Sequence, residues 1–110
     1  MSSILEITQI AENAHQAANV LKALANEQRM LILCLLANNE LSVNELNEKI
    51  ALSQSALSQH LARLRKDALV HTRRQGQTIF YKLPQGLASD IVKLCYQYYC
   101  ENKTKRDNKS

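Results

Sequence analysis

The sequence predicts a small, mainly α-helical domain with one β-hairpin, and three observations support this. The 110 residues include only 2 Gly and 1 Pro, which leaves little material for the turns of a many-stranded β fold. Apolar residues recur at steps of three and four, the spacing of a helix face. Two β-branched and aromatic runs, residues 70–74 and 77–83, flank Gln75-Gly76, which is typical of a hairpin with a two-residue loop. The composition, 45% apolar and 22% charged, is that of a globular chain.

The first two predicted helices are strongly apolar. The first covers about residues 6–25, and its apolar residues form one stripe. The stripe consists of Ile7, Ile10, Ala14, Ala17, Leu21 and Leu24. Such a stripe is more often core than a partner surface, so we expect it to be core. A second helix begins after the cap residue Asn26 and ends at Asn38-Asn39. Because residues 30–37 are apolar on all sides, this helix should be buried on most of them.

A helix-turn-helix is predicted in the middle of the chain. Ser42 and Glu45 have the spacing of a capping box, so a short third helix begins there. Its inward residues are Val43, Leu46 and Ile50. After the break at residues 52–55, Ser53 caps a fourth helix that runs to about Lys66. Two helices joined by a turn of three or four residues form a helix-turn-helix.

The fourth helix has one apolar side, formed by Leu57, Leu61 and Leu64, and an opposite side of small residues and amides. Ser and Gln can hydrogen-bond base edges or phosphates, and Arg and Lys can hold phosphates. The candidate DNA-binding residues on this helix are Gln54, Ser55, Ser58, Gln59, Arg63, Arg65 and Lys66. Taken alone, a solvated helix face is the commoner explanation of such a pattern.

The hairpin that follows favours DNA binding over a merely solvated face. Arg73, Arg74 and Gln77 lie at or near its tip, so they are the candidate DNA contacts of a wing, with the minor groove as one place of contact. Residues 53–82 hold six basic residues and one acidic residue, a net charge of +5, whereas residues 1–52 have a net charge of −3. A basic block on a neutral-to-acidic body is the footprint of a nucleic-acid-binding module. The sequence therefore predicts a winged helix-turn-helix that binds double-stranded DNA.

A last helix is predicted over about residues 87–102. Its apolar face consists of Ile91, Leu94, Cys95 and Tyr98. We expect residues 1–102 to form one DNA-binding and dimerisation domain and residues 103–110 to form a charged, disordered tail. Residues 1–10 contain no Lys or Arg, so they lack the charged region of a signal peptide. The longest apolar run, residues 30–37, is too short to cross a bilayer. We therefore expect a cytoplasmic protein without a membrane partner.

Three segments resemble the ArsR/SmtB family: ALANEQR at residues 23–29, SQSALSQHLARLR at residues 53–65 and QTIFY at residues 77–81. The resemblance covers about residues 15–100. It implies a bacterial transcriptional repressor with five helices and a wing. It also implies a homodimer, joined through the first and last helices, that binds a two-fold symmetric operator.

The metal sites of this family have no counterpart in the sequence. The stretch that would carry a Cys-x-Cys cluster, residues 40–46, has no thiol. In the last helix Asp90 lacks a His partner, because Val92 stands where one is expected. A carboxylate with no imidazole or thiolate nearby is a poor transition-metal site, so we predict no metal and no cofactor. A metal- or metalloid-responsive repressor that uses its cysteines in a nonstandard arrangement is the alternative.

The cysteines resemble those of the family's reactive-sulfur-sensing branch, with Cys34 on the second helix and Cys100 near the end of the last. The resemblance implies that reactive sulfur species, as the inducer, bridge this redox-sensing pair and release DNA. From the residues alone, Cys34 is more often a small buried hydrophobe, and packing suffices to explain Cys95. Cys100 lies opposite the apolar face and should be exposed, where Lys103 favours its thiolate.

The sequence also bears on two other classes of function, a protein-binding module and an enzyme. A winged helix that binds protein rather than DNA is the second alternative, and salt-dependent DNA affinity distinguishes the two. An enzyme is not predicted. The sequence contains no Gly-rich phosphate loop, and its 3 Cys form neither a CxxC nor another catalytic motif.

Overall fold

The computed structural model describes residues 4–101, which form five α-helices and a three-stranded antiparallel sheet. The helices are α1 (Ile4–Leu24), α2 (Glu27–Leu36), α3 (Val43–Lys49), α4 (Gln54–Lys66) and α5 (Leu87–Tyr96), and the strands are β1 (Leu41–Ser42), β2 (His71–Gln75) and β3 (Thr78–Lys82). A π-helical turn, Gln97–Glu101, continues α5. The predicted winged helix-turn-helix is confirmed. The predicted tail, residues 103–110, and the predicted end of the last helix at Asn102 lie outside the described residues.

The predicted starts of α2, α3 and α4 are confirmed, because each is set by a local cap. Asn26 accepts a backbone hydrogen bond at the start of α2. At α3 the backbone N of Glu45 donates to Ser42 Oγ at 3.1 Å, and the Ser42 N donates to Glu45 Oε1 at 3.0 Å. Ser53 Oγ accepts from the backbone N of Ala56 at 3.1 Å at the start of α4. These bonds satisfy backbone donors that a helix terminus leaves without partners.

The core is formed by aliphatic side chains of α2, α3, α4 and α5, with the sheet at one side. Its largest fully buried members are Ile32, Leu33, Leu46, Leu57, Leu61, Leu64 and Val92. The inward sides predicted for the helix-turn-helix are thus observed, with Val43 half-buried at the edge of the core. Within the described part of the chain, no helix is both long and apolar enough to cross a membrane.

The apolar stripe of α1 is not core, contrary to the prediction. Leu24 at its end is buried, but Ile10 is 57% exposed and Leu21 is 51% exposed. Residues 4–16 are exposed along their whole length, because only the later part of this 21-residue helix meets α2 and α5. The stripe is therefore an apolar surface of the single chain.

The buried side of α5 also differs from the prediction. The helix packs onto the core through Ala88 and Val92, while Leu94 is 65% exposed and Tyr98 is 59% exposed. The helix carries apolar residues on two sides. Of the predicted face, Ile91 is half-buried against the core and Cys95 is half-buried, whereas Leu94 and Tyr98 lie on the outer side. Periodicity identifies an apolar face but does not identify what covers it.

The hairpin has its two-residue loop one position later than predicted. Gln75 pairs with Thr78 at the end of the ladder, so the loop is Gly76-Gln77 rather than Gln75-Gly76. Gly76 has a φ of 64°, which glycine adopts at little steric cost and which suits the first position of a tight hairpin loop.

The sheet contains a short strand, β1, that the sequence pattern does not predict. The two-residue strand β1 pairs with β3, placing Leu41 opposite Tyr81, and the strand order is β1-β3-β2. A two-residue strand is too short to show an alternating pattern. This pairing connects the segment between α2 and α3 to the wing.

Candidate DNA-binding surface and thiol site

The outer side of α4 is an open surface of hydroxyl, amide and cationic groups. All seven residues predicted on this helix are exposed, because the helix buries Leu57, Leu61 and Leu64 on its other side. Those exposed residues are Gln54, Ser55, Ser58, Gln59, Arg63, Arg65 and Lys66. Such groups match the hydrogen-bonding edges of bases and the charge of phosphates.

The cations of α4 lie in its last turn and beside the sheet. Arg63 Nε donates to Asp67 Oδ2 at 2.8 Å, an exposed pair four residues apart. Such pairs contribute little to stability, so a phosphate can replace the carboxylate at small cost. Arg65 and Lys66 line an open groove of about 380 Å³ that extends from Ser58 to Tyr81 on β3. The groove joins the surface of α4 to that of the wing.

Arg73 is held in place by the body of the protein. Its Nε donates to Glu40 Oε1 at 3.0 Å, its Nη1 donates to Gln75 Oε1 at 3.0 Å, and its guanidinium lies 4.6 Å from the centre of the Phe80 ring. The hydrogen bond from Arg73 lowers the pKa of the Glu40 carboxyl, because it stabilises the charged carboxylate. Arg73 therefore ties β2 to the segment between α2 and β1.

Arg74 and Gln77 are differently placed. Both are exposed, Arg74 on β2 and Gln77 in the hairpin loop. Among residues 4–101 no side chain forms a hydrogen bond or ion pair with Arg74. These two side chains are the wing groups most available to a ligand.

The three cysteines lie on α2, on α5 and in the π-helical turn that continues α5, and α2 and α5 pack against each other. Cys34 on α2 is half-buried, Cys95 on α5 is half-buried, and Cys100 in the π-helical turn is exposed, as predicted. Burial raises the pKa of the Cys34 thiol, and the charges of Cys100 and then Cys95 raise it further. Cys34 is therefore mostly protonated at neutral pH, and both other thiols are close enough to influence it.

The π-helical turn changes the relation between Cys95 and Cys100. In a π-helix hydrogen bonds join residues five apart, so each residue turns the chain by a smaller angle than in an α-helix. Cys100 is consequently rotated towards the side of Cys95, whereas α-helical phase placed it opposite. The turn carries Tyr98 and Tyr99, whose rings meet edge to face at 4.9 Å. Nothing in the sequence indicated a π-helix here.

Metal ligands do not converge in the described part of the chain. Among residues 4–101 no three His, Cys, Asp or Glu side chains come together in a group that could hold a metal ion.

Comparison with known proteins agrees with this geometry. A family model described as "Bacterial regulatory protein, arsR family" matches residues 26–72. The chain is 47% identical over 97 residues to the transcriptional activator HlyU of Vibrio cholerae, covering 88% of this chain and 90% of that protein. It is 38% identical over 89 residues to the biofilm growth-associated repressor of Xylella fastidiosa, covering 81% of this chain and 78% of that protein.

A solved structure shows the same fold. Reduced HlyU from Vibrio cholerae aligns with a TM-score of 0.80 and 50% identity, covering 84% of this chain and 97% of that one. The relatives named here are regulators of transcription rather than enzymes. The chain belongs to the arsR family of bacterial winged helix-turn-helix transcriptional regulators.

Proposed function

We propose that this regulator is a repressor that binds a two-fold symmetric operator as a homodimer and leaves it when reactive sulfur species bridge Cys34 and Cys100. The observation that carries the DNA-binding half is the exposed polar and basic side of α4 next to the basic wing. One curated relative is named an activator and another a repressor, so the direction of regulation is part of the proposal.

In this proposal α4 enters the major groove. Ser55, Ser58 and Gln59 contact base edges or adjacent phosphates, and Gln54 contributes at the helix start. Cationic side chains on α4 and the wing hold the phosphate backbone. They are Arg63, Arg65, Lys66, Arg73 and Arg74, with Gln77 beside them at the loop. Arg73 serves mainly by orienting the wing, since Glu40 and Gln75 already occupy three of its N–H groups.

The apolar surfaces of α1 and α5 support the proposal of a homodimer. Ile10 and Leu21 on α1 and Leu94 and Tyr98 on α5 are more than half exposed in the single chain, and the two helices are in contact. Contiguous apolar surface of this kind marks an interface with another chain. A two-fold dimer would place two α4 helices about one turn of DNA apart, which matches two half-sites.

The proposed sulfur sensing rests on Cys34 lying on α2, which packs against α5, and on Cys100 lying in the turn that continues α5. In the first step the Cys34 thiolate attacks the outer sulfur of a persulfide RS–SH, so that Cys34–S–SH forms and RS⁻ leaves. A second persulfide extends this product by one sulfur in the same way. The Cys100 thiolate then attacks the middle sulfur, which forms a trisulfide bridge and releases HS⁻. The persulfides are the oxidant, and no further one is required.

Such a bridge would act on DNA binding through the dimer. Cys34 lies on α2, which packs against α4, whereas Cys100 continues α5, which carries the exposed apolar face. Joining them constrains α5 relative to the DNA-binding helix. The bridge stabilises the dimer arrangement that it fits better. The operator is released if the two α4 helices of that arrangement cannot occupy both half-sites.

Arg74 on the wing provides a test of the proposed DNA binding. Replacing Arg74 with Ala should lower the slope of log affinity against log salt by about one on a duplex of arbitrary sequence, because one phosphate contact is lost. Lys22→Ala removes an equal charge from the exposed surface of α1 and should leave the slope unchanged. An unchanged slope for Arg74→Ala would exclude this contact. Absence of any salt-dependent affinity in the parent protein would favour a protein-binding winged helix.

Mass spectrometry with peptide mapping tests the thiol half. The reduced protein is treated separately with glutathione persulfide, hydrogen peroxide and glutathione disulfide. We expect a Cys34–Cys100 link with additional sulfur only after persulfide, because sulfur atoms lengthen the bridge beyond the reach of a direct disulfide. No link, or the same product with every oxidant, would contradict sulfur sensing. Zinc and arsenite titration would then test the metal-responsive alternative.

A further inference from the structure

A pocket of about 240 Å³ opens beside Cys34, where the end of α2 meets α5. Its wall includes the apolar side chain of Val92, and its polar groups come from Asn38, Lys93, Tyr96 and Gln97. Cys34 lines this pocket and is the thiol that a molecule entering it would meet, since neither Cys95 nor Cys100 lines it. The pocket is therefore a route from solvent to a half-buried thiol.

The charged group that lines the pocket is positive. Lys93 is exposed and cationic, and no acidic side chain lines the pocket. Within residues 4–101 no carboxylate forms an ion pair with Lys93, including Asp90 one turn earlier on α5. The amides of Asn38 and Gln97 offer both donors and acceptors beside this cation. An ammonium group with two amides suits a small organic anion that carries carboxylate and amide groups.

We propose that this pocket binds the carboxylate-bearing part of a low-molecular-weight thiol persulfide, with Lys93 on the carboxylate, and presents its outer sulfur to Cys34. The inference rests on the proposed function, and it names the chemical class of the inducer as an anionic amino-acid or peptide persulfide. The Cys34 thiolate forms a bond to the outer sulfur, the S–S bond of the donor breaks, and the donor leaves as its thiolate.

The size and chemistry of the pocket fit this role. Pockets for drug-sized ligands occupy about 300–1,000 Å³, so a pocket of about 240 Å³ accommodates an amino-acid-sized group. Cys34 is a weak nucleophile at neutral pH because burial raises its pKa. Holding the donor beside it compensates by raising the effective concentration of the reacting sulfur.

The test compares two donors on four proteins. The donors are glutathione persulfide, which is anionic, and the persulfide of N-acetylcysteine methyl ester, which has no carboxylate. The proteins are the parent, Lys93→Gln, Lys93→Glu and the control Lys49→Gln, which alters an exposed lysine at the end of α3. The initial rate of sulfur addition at Cys34 is measured by peptide mapping.

With glutathione persulfide we expect Lys93→Gln to slow addition about three- to fivefold, the size of one exposed ion pair, and Lys93→Glu to slow it further. The difference should shrink at high salt. The ester donor should react equally with all four proteins. If Lys93→Gln slows both donors equally, Lys93 acts on the Cys34 thiolate, and the binding role is overturned.

The remaining outcomes separate this inference from the proposed function. If Cys34 of the parent protein gains sulfur from neither donor, the proposed function itself fails. If Cys34 gains sulfur but the Lys93 variants match the parent with both donors, the pocket proposal fails and sulfur sensing stands. A Lys49→Gln protein as slow as Lys93→Gln would also contradict a specific role of the pocket.

Discussion

Replacing Cys34 with Ser should abolish operator release by persulfide while leaving the affinity of the reduced protein close to that of the parent. For the parent we expect release to lower operator affinity about 5- to 150-fold, the range of typical coupling between two sites. Serine keeps the shape of the half-buried side chain but cannot accept sulfur. The measurement is fluorescence anisotropy on an operator duplex selected from a random library, before and after treatment with glutathione persulfide.

Two variants are the controls for this experiment. Cys100→Ser should also lose the response, because it removes the second end of the bridge. Cys95→Ser alters a half-buried thiol on α5, shortly before the π-helical turn that carries Cys100, and should keep the response. Full release from the Cys34→Ser protein would show that the switch does not use this thiol. If Cys95→Ser loses the response and Cys100→Ser keeps it, Cys95 rather than Cys100 forms the second end of the bridge to Cys34.

Replacing Leu94 with Glu should convert the proposed homodimer to monomers and lower operator affinity about 100-fold or more. The reason is that a dimer gains about 10²–10⁴ in avidity by engaging two half-sites together, and a monomer loses this gain. Leu94 is 65% exposed, so the single chain should fold normally, whereas an interface would bury the new carboxylate without a partner. Sedimentation equilibrium measures the mass, and anisotropy measures the affinity.

The matched control is Asn47→Glu, which adds the same charge at an exposed position on α3, away from the apolar faces of α1 and α5. This protein should remain a dimer. Because α3 belongs to the helix-turn-helix, the new charge of the control can weaken DNA binding directly. The loss of affinity measured for Asn47→Glu is therefore the largest loss that the added charge alone explains. A Leu94→Glu protein that is dimeric and binds like the parent would exclude α5 from the interface.

The helix-turn-helix could be predicted because its signals are local. Each cap involves residues three apart, as in Ser42 with Glu45 and Ser53 with Ala56, so the start of a helix can be identified without knowing the fold. The apolar spacing of Leu57, Leu61 and Leu64 likewise determines which side of α4 is buried and thus which polar residues are exposed. The DNA-binding candidates of α4 follow from that one face.

Other features could not be predicted because they depend on contacts between distant segments. Glu40 and Arg73 are 33 residues apart in sequence, and their ion pair exists only because β1 pairs with β3 beside β2. The π-helical turn that rotates Cys100 has no sequence signature here. The same holds for the pocket at Cys34, whose walls come from α2 and α5.

The sequence by itself therefore determined the order of the helices and the hairpin, the starts of α2, α3 and α4, the exposed side of α4 and the basic hairpin. Only the tertiary structure decided that most of the apolar stripe of α1, and Leu94 and Tyr98 of α5, lie outside the core. It also decided that Arg73 is bound by Glu40 and that Lys93 and Cys34 line one pocket. The physical reason is that hydrophobic burial has no direction. A periodic stripe shows that a face avoids water, but whether its cover is the same chain or another depends on how the whole chain packs.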